Sequence, residues 1–318
     1  MVSEGSPPHI PTVLALAGGV GGAKLALGLS LLLPPEDLTV CVNTGDDESF
    51  HGLHVSPDLD TMMYTLSGLS NEETGWGIAG DTFTTLEMLG KFGVDTWFNI
   101  GDRDFATHIR RTQLLAEGKT LSEVTTALSR SLGVTQIVVP MSDDPVKTVL
   151  TTNEGPLPMQ RYFVGRKTEP RVSNVAYLGA DTASASPGFQ YALTMANMLV
   201  MCPSNPYLSL GPILALPGVR QLIQEFSGIK VCVSPIVGGD AVKGPAGKIM
   251  TELRKDVSCV QVAREYRDIC DVCVIDTQDQ GLASEIRELG ITPLVTSTIM
   301  NTAEDKIALA KEILTLAA

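Results

Sequence analysis

Ala17-Gly18-Gly19-Val20-Gly21-Gly22-Ala23-Lys24 follows the short apolar run Thr12 to Leu16 and opens a stretch with apolar periodicity. That order reads as a strand, a glycine turn and a helix start. Glycines let the backbone come close to an anion, and the free N–H groups and positive dipole end of a helix favour phosphate there. Lys24 adds a point charge. The loop matches neither standard phosphate template. A Walker loop needs Gly at Ala23 and Ser or Thr at Leu25, and a dinucleotide fingerprint needs a third Gly at Lys24. Taken alone, the segment is either a phosphate cradle or a structural turn between strand and helix.

Working outward, strand-like runs recur at Thr12 to Leu16, Leu38 to Val42, Thr96 to Ile100, Gln136 to Pro140, Met198 to Cys202, Ile229 to Val233, Val272 to Asp276 and Thr292 to Val295. Helical spacing fills Ala23 to Leu33, Thr82 to Lys91, Leu121 to Leu132, Ala241 to Arg254 and Thr302 to Leu316. The alternation predicts an α/β protein with a doubly wound, mainly parallel, Rossmann-like sheet, whose ligands sit at strand carboxyl ends. Between Val146 and Val164, β-branched residues with Gly155, Pro156 and Pro158 predict an inserted hairpin. Residues 1–10 read as a loose tail. Residues 11–318 read as a single large α/β domain with helical and hairpin insertions around 50–135 and 146–185.

The 318 residues are 44% apolar and 5% aromatic, enough for a large core. No apolar run approaches the roughly 20 residues that span a bilayer, and the start lacks a signal-peptide pattern, so a cytoplasmic protein is expected. A net charge of −13 argues against a general nucleic-acid or anionic-membrane surface, so any phosphate site is local. Six cysteines lie mostly in apolar runs, which suits a reducing compartment. Cys270 and Cys273 have metal-ligand spacing, but no second Cys/His pair accompanies them.

After the second strand come Asn43-Thr44-Gly45-Asp46-Asp47-Glu48 and then Ser56-Pro57-Asp58-Leu59-Asp60-Thr61. In a doubly wound fold this loop lies beside the glycine loop, so the carboxylates can meet Lys24 and a phosphate. Mg²⁺ would reconcile the like charges, since it takes one or two carboxylates plus phosphate oxygens and water. At least one of Asp58, Asp60 and Thr61 is also expected to cap the helix running through Met62 to Leu66. His51 and His54 lie between the two acidic groups and either join the site or sit on the loop surface, the reading favoured for each. Gly80-Asp81-Thr82-Phe83 and Gly101-Asp102-Arg103-Asp104, the latter followed by Ala106-Thr107-His108, each begin a helix. Arg103 is either a phosphate fork or half of a structural Arg–Asp pair. Met141-Ser142-Asp143-Asp144-Pro145, Ser204-Asn205-Pro206 and the Lys243 to Lys248 segment supply further strand-end loops suited to ligand contact. With no nucleophile paired to a base in evident spacing, phosphoryl-type transfer, which needs positioning, metal and positive charge, is the economical chemistry.

In this order and spacing, the glycine loop, Ser56 to Thr61, Gly101 to Asp104 with Ala106 to His108, Pro140 to Pro145, Ser204 to Pro206 and Gly244 to Lys248 resemble the 2-phospho-L-lactate transferase family of coenzyme F420 biosynthesis. The resemblance covers nearly the whole chain. It implies transfer of a 2-phospholactate, phosphoenolpyruvate or 3-phosphoglycerate moiety from a guanosine diphosphate-activated donor to a hydroxyl of the deazaflavin Fo, releasing GMP with Mg²⁺, in a homodimer. It further implies Asp58, Asp60 and Asp47 as catalytic candidates, and Asp46, Asp47, Asp58 and Asp60 as candidates for Mg²⁺. Gly18, Gly19, Gly21, Gly22, Lys24 and Arg103 would serve the diphosphate, Ser204 and Asn205 the guanosine, and Asp81 and Thr82 the deazaflavin. The first loop departs from the archaeal pattern and looks bacterial, which leaves the donor open. The competing reading is a non-catalytic sugar-nucleotide-binding regulator, similar to the gluconeogenesis-factor relatives. A nicotinamide-dependent oxidoreductase is disfavoured, because Asn43 ends strand two where a ribose-binding acid is expected.

Overall fold

Val13–Ala17 is buried at all five positions, which only the middle of a sheet covered on both faces permits. The computed structural model describes residues 11–317, and the expected tail at 1–10 lies outside them. Seven strands form one sheet: β1 (Val13–Ala17), β2 (Leu38–Val42), β3 (Ile137–Pro140), β4 (Met198–Met201), β5 (Ile229–Val233), β6 (Val272–Asp276) and β7 (Thr292–Thr296). Every neighbouring pair is parallel, in the order β7-β6-β5-β4-β1-β2-β3. The sheet therefore reverses its winding between β1 and β4, and a crevice opens at the carboxyl ends of those two strands.

Side-chain alternation divides the core into two layers. Val13, Ala15 and Ala17 face Leu25, Ala26 and Leu29 of α1 (Gly19–Ser30), Leu59 and Met62 of α2 (Pro57–Leu66), and the helix Ala303–Leu314. Leu14 and Leu16 face the layer of Phe189, Ile213, Ile249, Val262 and Ile286. Each such side chain contributes about 1.5–3 kcal/mol by leaving water. α1 also carries Gly28 mid-helix, where glycine costs about 1 kcal/mol relative to alanine. A Cβ there would overlap the Lys306 carbonyl, so the glycine sets the approach of α1 to the last long helix. Gly28→Ala is expected to destabilise by about 1–2 kcal/mol net, read as a lower melting temperature by calorimetry. An unchanged melt would mean that the two helices separate without cost.

Two insertions build the rim. Between β2 and β3 lie the hairpin Glu48–Phe50/Leu53–Val55, then α2, α3 (Thr84–Lys91), α4 (Asp102–Ala116) and α5 (Leu121–Ser131). The strand expected at Thr96 to Ile100 is absent. Its apolar residues serve a satellite core instead: Phe98 stacks on Phe50 at 3.9 Å and Trp97 meets Phe50 edge-on at 5.3 Å. Between β3 and β4, the expected hairpin forms as Lys147–Thr152 and Gly155–Pro158, with Val172–Leu178 adding a third antiparallel strand. The helix expected from Ala241 begins only at Ala246. Before it come a small Ile236–Val237/Asp240–Ala241 hairpin and Gly244 at a positive φ of 76°, a conformation that ends regular structure. Among the described residues, no helix is long and apolar enough to cross a membrane.

Candidate functional site

Three carboxylates gather where β1, β2 and β4 end. β2 delivers Asn43, fully buried, directly into the loop bearing Asp46 and Asp47. The Asn43 amide donates to Asp46 Oδ1 at 3.1 Å, to Asp58 Oδ2 at 2.9 Å and to the Leu208 carbonyl at 3.3 Å. Its Oδ1 accepts from Gly45 N–H at 2.8 Å. One neutral side chain thus ties the β2 loop, the α2 N-terminus and the loop after β4. Asp46 accepts a second bond from Gln160 at 2.8 Å, reaching over from the second insertion. Asp47 Oδ2 accepts from Ser56 Oγ at 2.7 Å and lies 3.0 Å from His54 Nε2, while its Oδ1 is buried with no partner.

α1 meets this cluster at its start. Gly19 N–H donates to Asp58 Oδ1 at 2.8 Å, and the helix has no side-chain cap for its remaining first-turn amides. Close packing explains most of the loop's glycines. A Cβ at Gly18 would come within 2.6 Å of Asp58 Oδ2, one at Gly22 within 2.7 Å of Ser204 Oγ, and one at Gly21 would overlap the Pro203 carbonyl. Gly19 stands in open space but at a φ of 64°. Ser204 Oγ bonds both the N–H and the carbonyl of Gly18, at 3.1 and 2.9 Å.

Burial dominates the electrostatics, and like charge adds to it. Burial, then the neighbouring Asp58 and Asp47 charges, lifts Asp46 well above the carboxylate range. Burial pushes Asp58 up to about 6, against the pull of the Asn43 and Gly19 hydrogen bonds. Burial also raises Asp47, although His54 opposes it. Three mutually repelling acids, one with an orphaned oxygen, concentrate negative charge beside the start of α1.

Asp60 belongs elsewhere. Both its oxygens are held by the fork of Arg111, one at 3.2 Å, and the arginine is 1% exposed. Burial works against that guanidinium, yet the Asp60 charge raises its pKa overall. His108 lies between acids, with Nδ1 3.6 Å from Asp60 and Nε2 3.3 Å from Asp104. Burial favours protonating Asp104, but His108 and the Tyr64 hydroxyl, which donates to it at 2.6 Å, hold it below its ordinary value. Asp60, Asp104 and His108 are close enough to share a metal, but Arg111 already neutralises Asp60. Among the described residues no other group of three acids, histidines or cysteines brings its ligand atoms that close.

Other expected contacts are differently placed. None of Asp58, Asp60 and Thr61 caps α2 through its side chain, because Asp58 and Asp60 are drawn into the bonds above. Asp81 accepts the N–H groups of Arg103 and Asp104 at the start of α4, while Thr82 donates to Asp102 at 2.5 Å. Asp102 in turn accepts from Thr84 and Thr85 at the start of α3. Arg103 is exposed and reaches only the Ala79 carbonyl, at 3.3 Å. Asn205 Oδ1 accepts from Tyr207 and Leu208, leaving its amide nitrogen unpartnered. Asp143 receives Ser122 N–H and Asp144 receives Ser184 N–H, which makes that loop a brace between insertions. Lys248 is tied to Glu252 and the Pro170 carbonyl. Lys24 donates to the Met300 carbonyl at 2.7 Å, and burial followed by the charges of Lys306 and Lys243 lowers its pKa.

Asn43, Gln160, Arg111 and Lys306 join the site without being expected there from the sequence, whereas His54 takes the site reading and not the loop-surface one. One signal was there to read. Asp104, His108 and Arg111 recur at i, i+4 and i+7, the spacing of a buried helix stripe, but carry charge where apolar residues are usual.

The family model for 2-phospho-L-lactate transferase CofD matches residues 13–308. A 2-phospho-L-lactate transferase of Methanosarcina mazei is 39% identical over 299 residues, covering 94% of this chain and 98% of its own. A phosphoenolpyruvate transferase of Streptomyces griseus is 41% identical over 311 residues, covering 96% and 98%. Among solved structures, a UPF0052 family member from Bacillus halodurans superposes with a TM-score of 0.63 at 16% identity, over 97% of this chain and 100% of that one, a likeness of fold.

Proposed function

Since this chain belongs to the 2-phospho-L-lactate transferase family, we propose that it transfers a phospholactate-type moiety from a guanosine diphosphate-linked donor to a hydroxyl of the deazaflavin Fo. One observation carries the reading beyond the family: Asp46, Asp47 and Asp58 converge beside the uncapped start of α1, so acid and anion-binding groups share the crevice.

In this reading the donor diphosphate lies against the first turn of α1, within the field of Lys24, Lys243 and Lys306, the local positive charge in an acidic protein. The Fo hydroxyl oxygen bonds to the phosphorus that carries the lactate-type ester oxygen, and the bond from that phosphorus to the bridging diphosphate oxygen breaks. The bridge oxygen leaves with GMP, and the hydroxyl proton passes to a carboxylate. Asp58, buried at the start of α1 and bonded to the glycine loop, is placed for that task. Asp46, Asp47 and Asp58 would hold Mg²⁺, which supplies charge neutralisation on the diphosphate. Exposed Phe83, next to Asp81 and Thr82 in the chain, offers apolar surface for the deazaflavin ring. The protein acts as a homodimer in the cytoplasm.

The test is mass spectrometry of Fo incubated with the protein, Mg²⁺ and each of the lactyl, enolpyruvyl and glyceryl donors. A phosphodiester of Fo with release of GMP is expected from one of them, and that donor names the substrate. No product from any donor, with a sugar nucleotide binding in place of Fo, would overturn the reading in favour of a regulator.

A further inference from the structure

We infer that Arg111 is a positioning residue for the acid cluster, fixing the two chain segments that carry Asp58 and Asp47. The guanidinium sits on α4 and reaches two separate segments. Its fork fixes Asp60, two residues from Asp58 in the first turn of α2, and its Nη1 donates to the His54 carbonyl at 3.4 Å. His54 in turn carries the imidazole 3.0 Å from Asp47, and its N–H is held by Thr112 of α4 at 2.8 Å. Both acid-bearing segments therefore hang from one side of α4.

The rest of that face completes the brace. His108 Nδ1 lies 3.2 Å from Arg111 Nη1, which limits where the guanidinium plane can turn. Tyr64 of α2, one turn beyond Asp60, donates to Asp104 at 2.6 Å and accepts from the Thr107 hydroxyl at 2.8 Å, and so locks α2 against rotation relative to α4. A lysine in place of Arg111 would keep the charge but not the planar fork that grips Asp60 and the His54 carbonyl together. A buried ion pair is a poor device for stability alone, because desolvation offsets most of its attraction. Its geometric precision is what the acid cluster uses.

This inference leans on the transferase reading for one readout, turnover, and is tested by two that do not need it. Arg111→Lys is compared with wild type by Mn²⁺ binding, followed by electron paramagnetic resonance, and by hydrogen exchange of the peptides spanning 17–22 and 43–60. The expected result is a folded protein whose Mn²⁺ affinity falls at least tenfold, whose protection drops in both peptides, and whose kcat falls at least a hundredfold while KM for the donor stays within about threefold. Should Arg111→Lys fail to fold, the paired change Asp60→Leu with Arg111→Met removes the buried charges together and retains a core of similar volume. Loss of protection at 17–22 in that protein supports positioning. Wild-type Mn²⁺ affinity and protection in either folded variant would overturn the inference, as would tighter Mn²⁺ binding in Arg111→Lys, since that would mean Arg111 merely competes for Asp60. A wild-type protein that makes no product would sink the transferase reading while leaving both binding and exchange outcomes decisive for Arg111.

Discussion

Asp58→Asn protein, free of metal, is expected to melt at or above the wild-type temperature at pH 8 and to transfer almost nothing. Asp58 titrates near 6 in the fold, above its ordinary 3.8, because it is buried beside other acids. The native state thus holds that proton more tightly than the unfolded chain does. The stabilisation this provides is present below pH 3.8 and is lost as pH rises through about 6. Above that, ionised Asp58 costs the metal-free fold up to about 3 kcal/mol. Asparagine removes the charge but also one acceptor, since the carboxylate receives both Gly19 N–H and the Asn43 amide. The net gain should lie between zero and about 2 kcal/mol. Thermal melts at pH 5 and pH 8 check the sign. The variant's advantage must widen at pH 8, and a divalent cation must raise the wild-type melt while leaving the variant nearly unmoved. Turnover should fall by roughly 10²–10⁴. A variant whose advantage over wild type narrows or reverses from pH 5 to pH 8 would show that Asp58 is stabilised as an anion by contacts other than those described.

Gly21→Ala is expected to damage both the fold and nucleotide binding. The glycine faces the Pro203 carbonyl so closely that a Cβ would overlap it, and backbone on both sides leaves no flexible side chain to give way. α1 would have to lift from the loop after β4, straining the Gly18–Ser204 bonds that join the two sides of the crevice. Overpacking of this kind costs about 1–3 kcal/mol or more. The α1 amides would also leave their place beside Asp58, so nucleotide affinity should fall at least tenfold by calorimetry. Gly19→Ala provides the contrast. It meets no atom within 4 Å and pays only for its positive φ of 64°, about 1–2 kcal/mol. Equal losses in the two variants would argue that loop conformation, and not close approach to Pro203, is what the glycines serve.

The sheet was legible because buried parallel strands are continuous apolar runs. Seven of the eight expected strands coincide with β1 to β7 to within one residue at either end. The exception, Thr96 to Ile100, carries Trp97 and Phe98, whose ring packing against Phe50 satisfies the same hydrophobicity without a ladder. The acid cluster was legible in part. Loops after successive strands lie side by side at the switch point, so Asp46, Asp47 and Asp58 could be placed near the glycine loop before any coordinates. Their partners could not. Asp60 and Arg111 are 51 residues apart, and Asp46 and Gln160 are 114 apart, so nothing local ties them. Asp81 and Asp102 are read equally well from sequence as ligand contacts or as caps, and the helix-start amides they accept lie 17 to 23 residues away.

By itself the sequence determined the parallel α/β frame, the glycine turn at the end of β1 and the crowding of acids after β2, since each depends on periodicity or on neighbours along the chain. Tertiary structure decided which acid is free. Asp58 and Asp60 sit in one helical turn with the same chemistry, yet one faces the α1 amides and the other meets a buried guanidinium. Charge compensation depends on distance in space, and the pairing of Asp60 with Arg111 exists only once α4 has packed across α2.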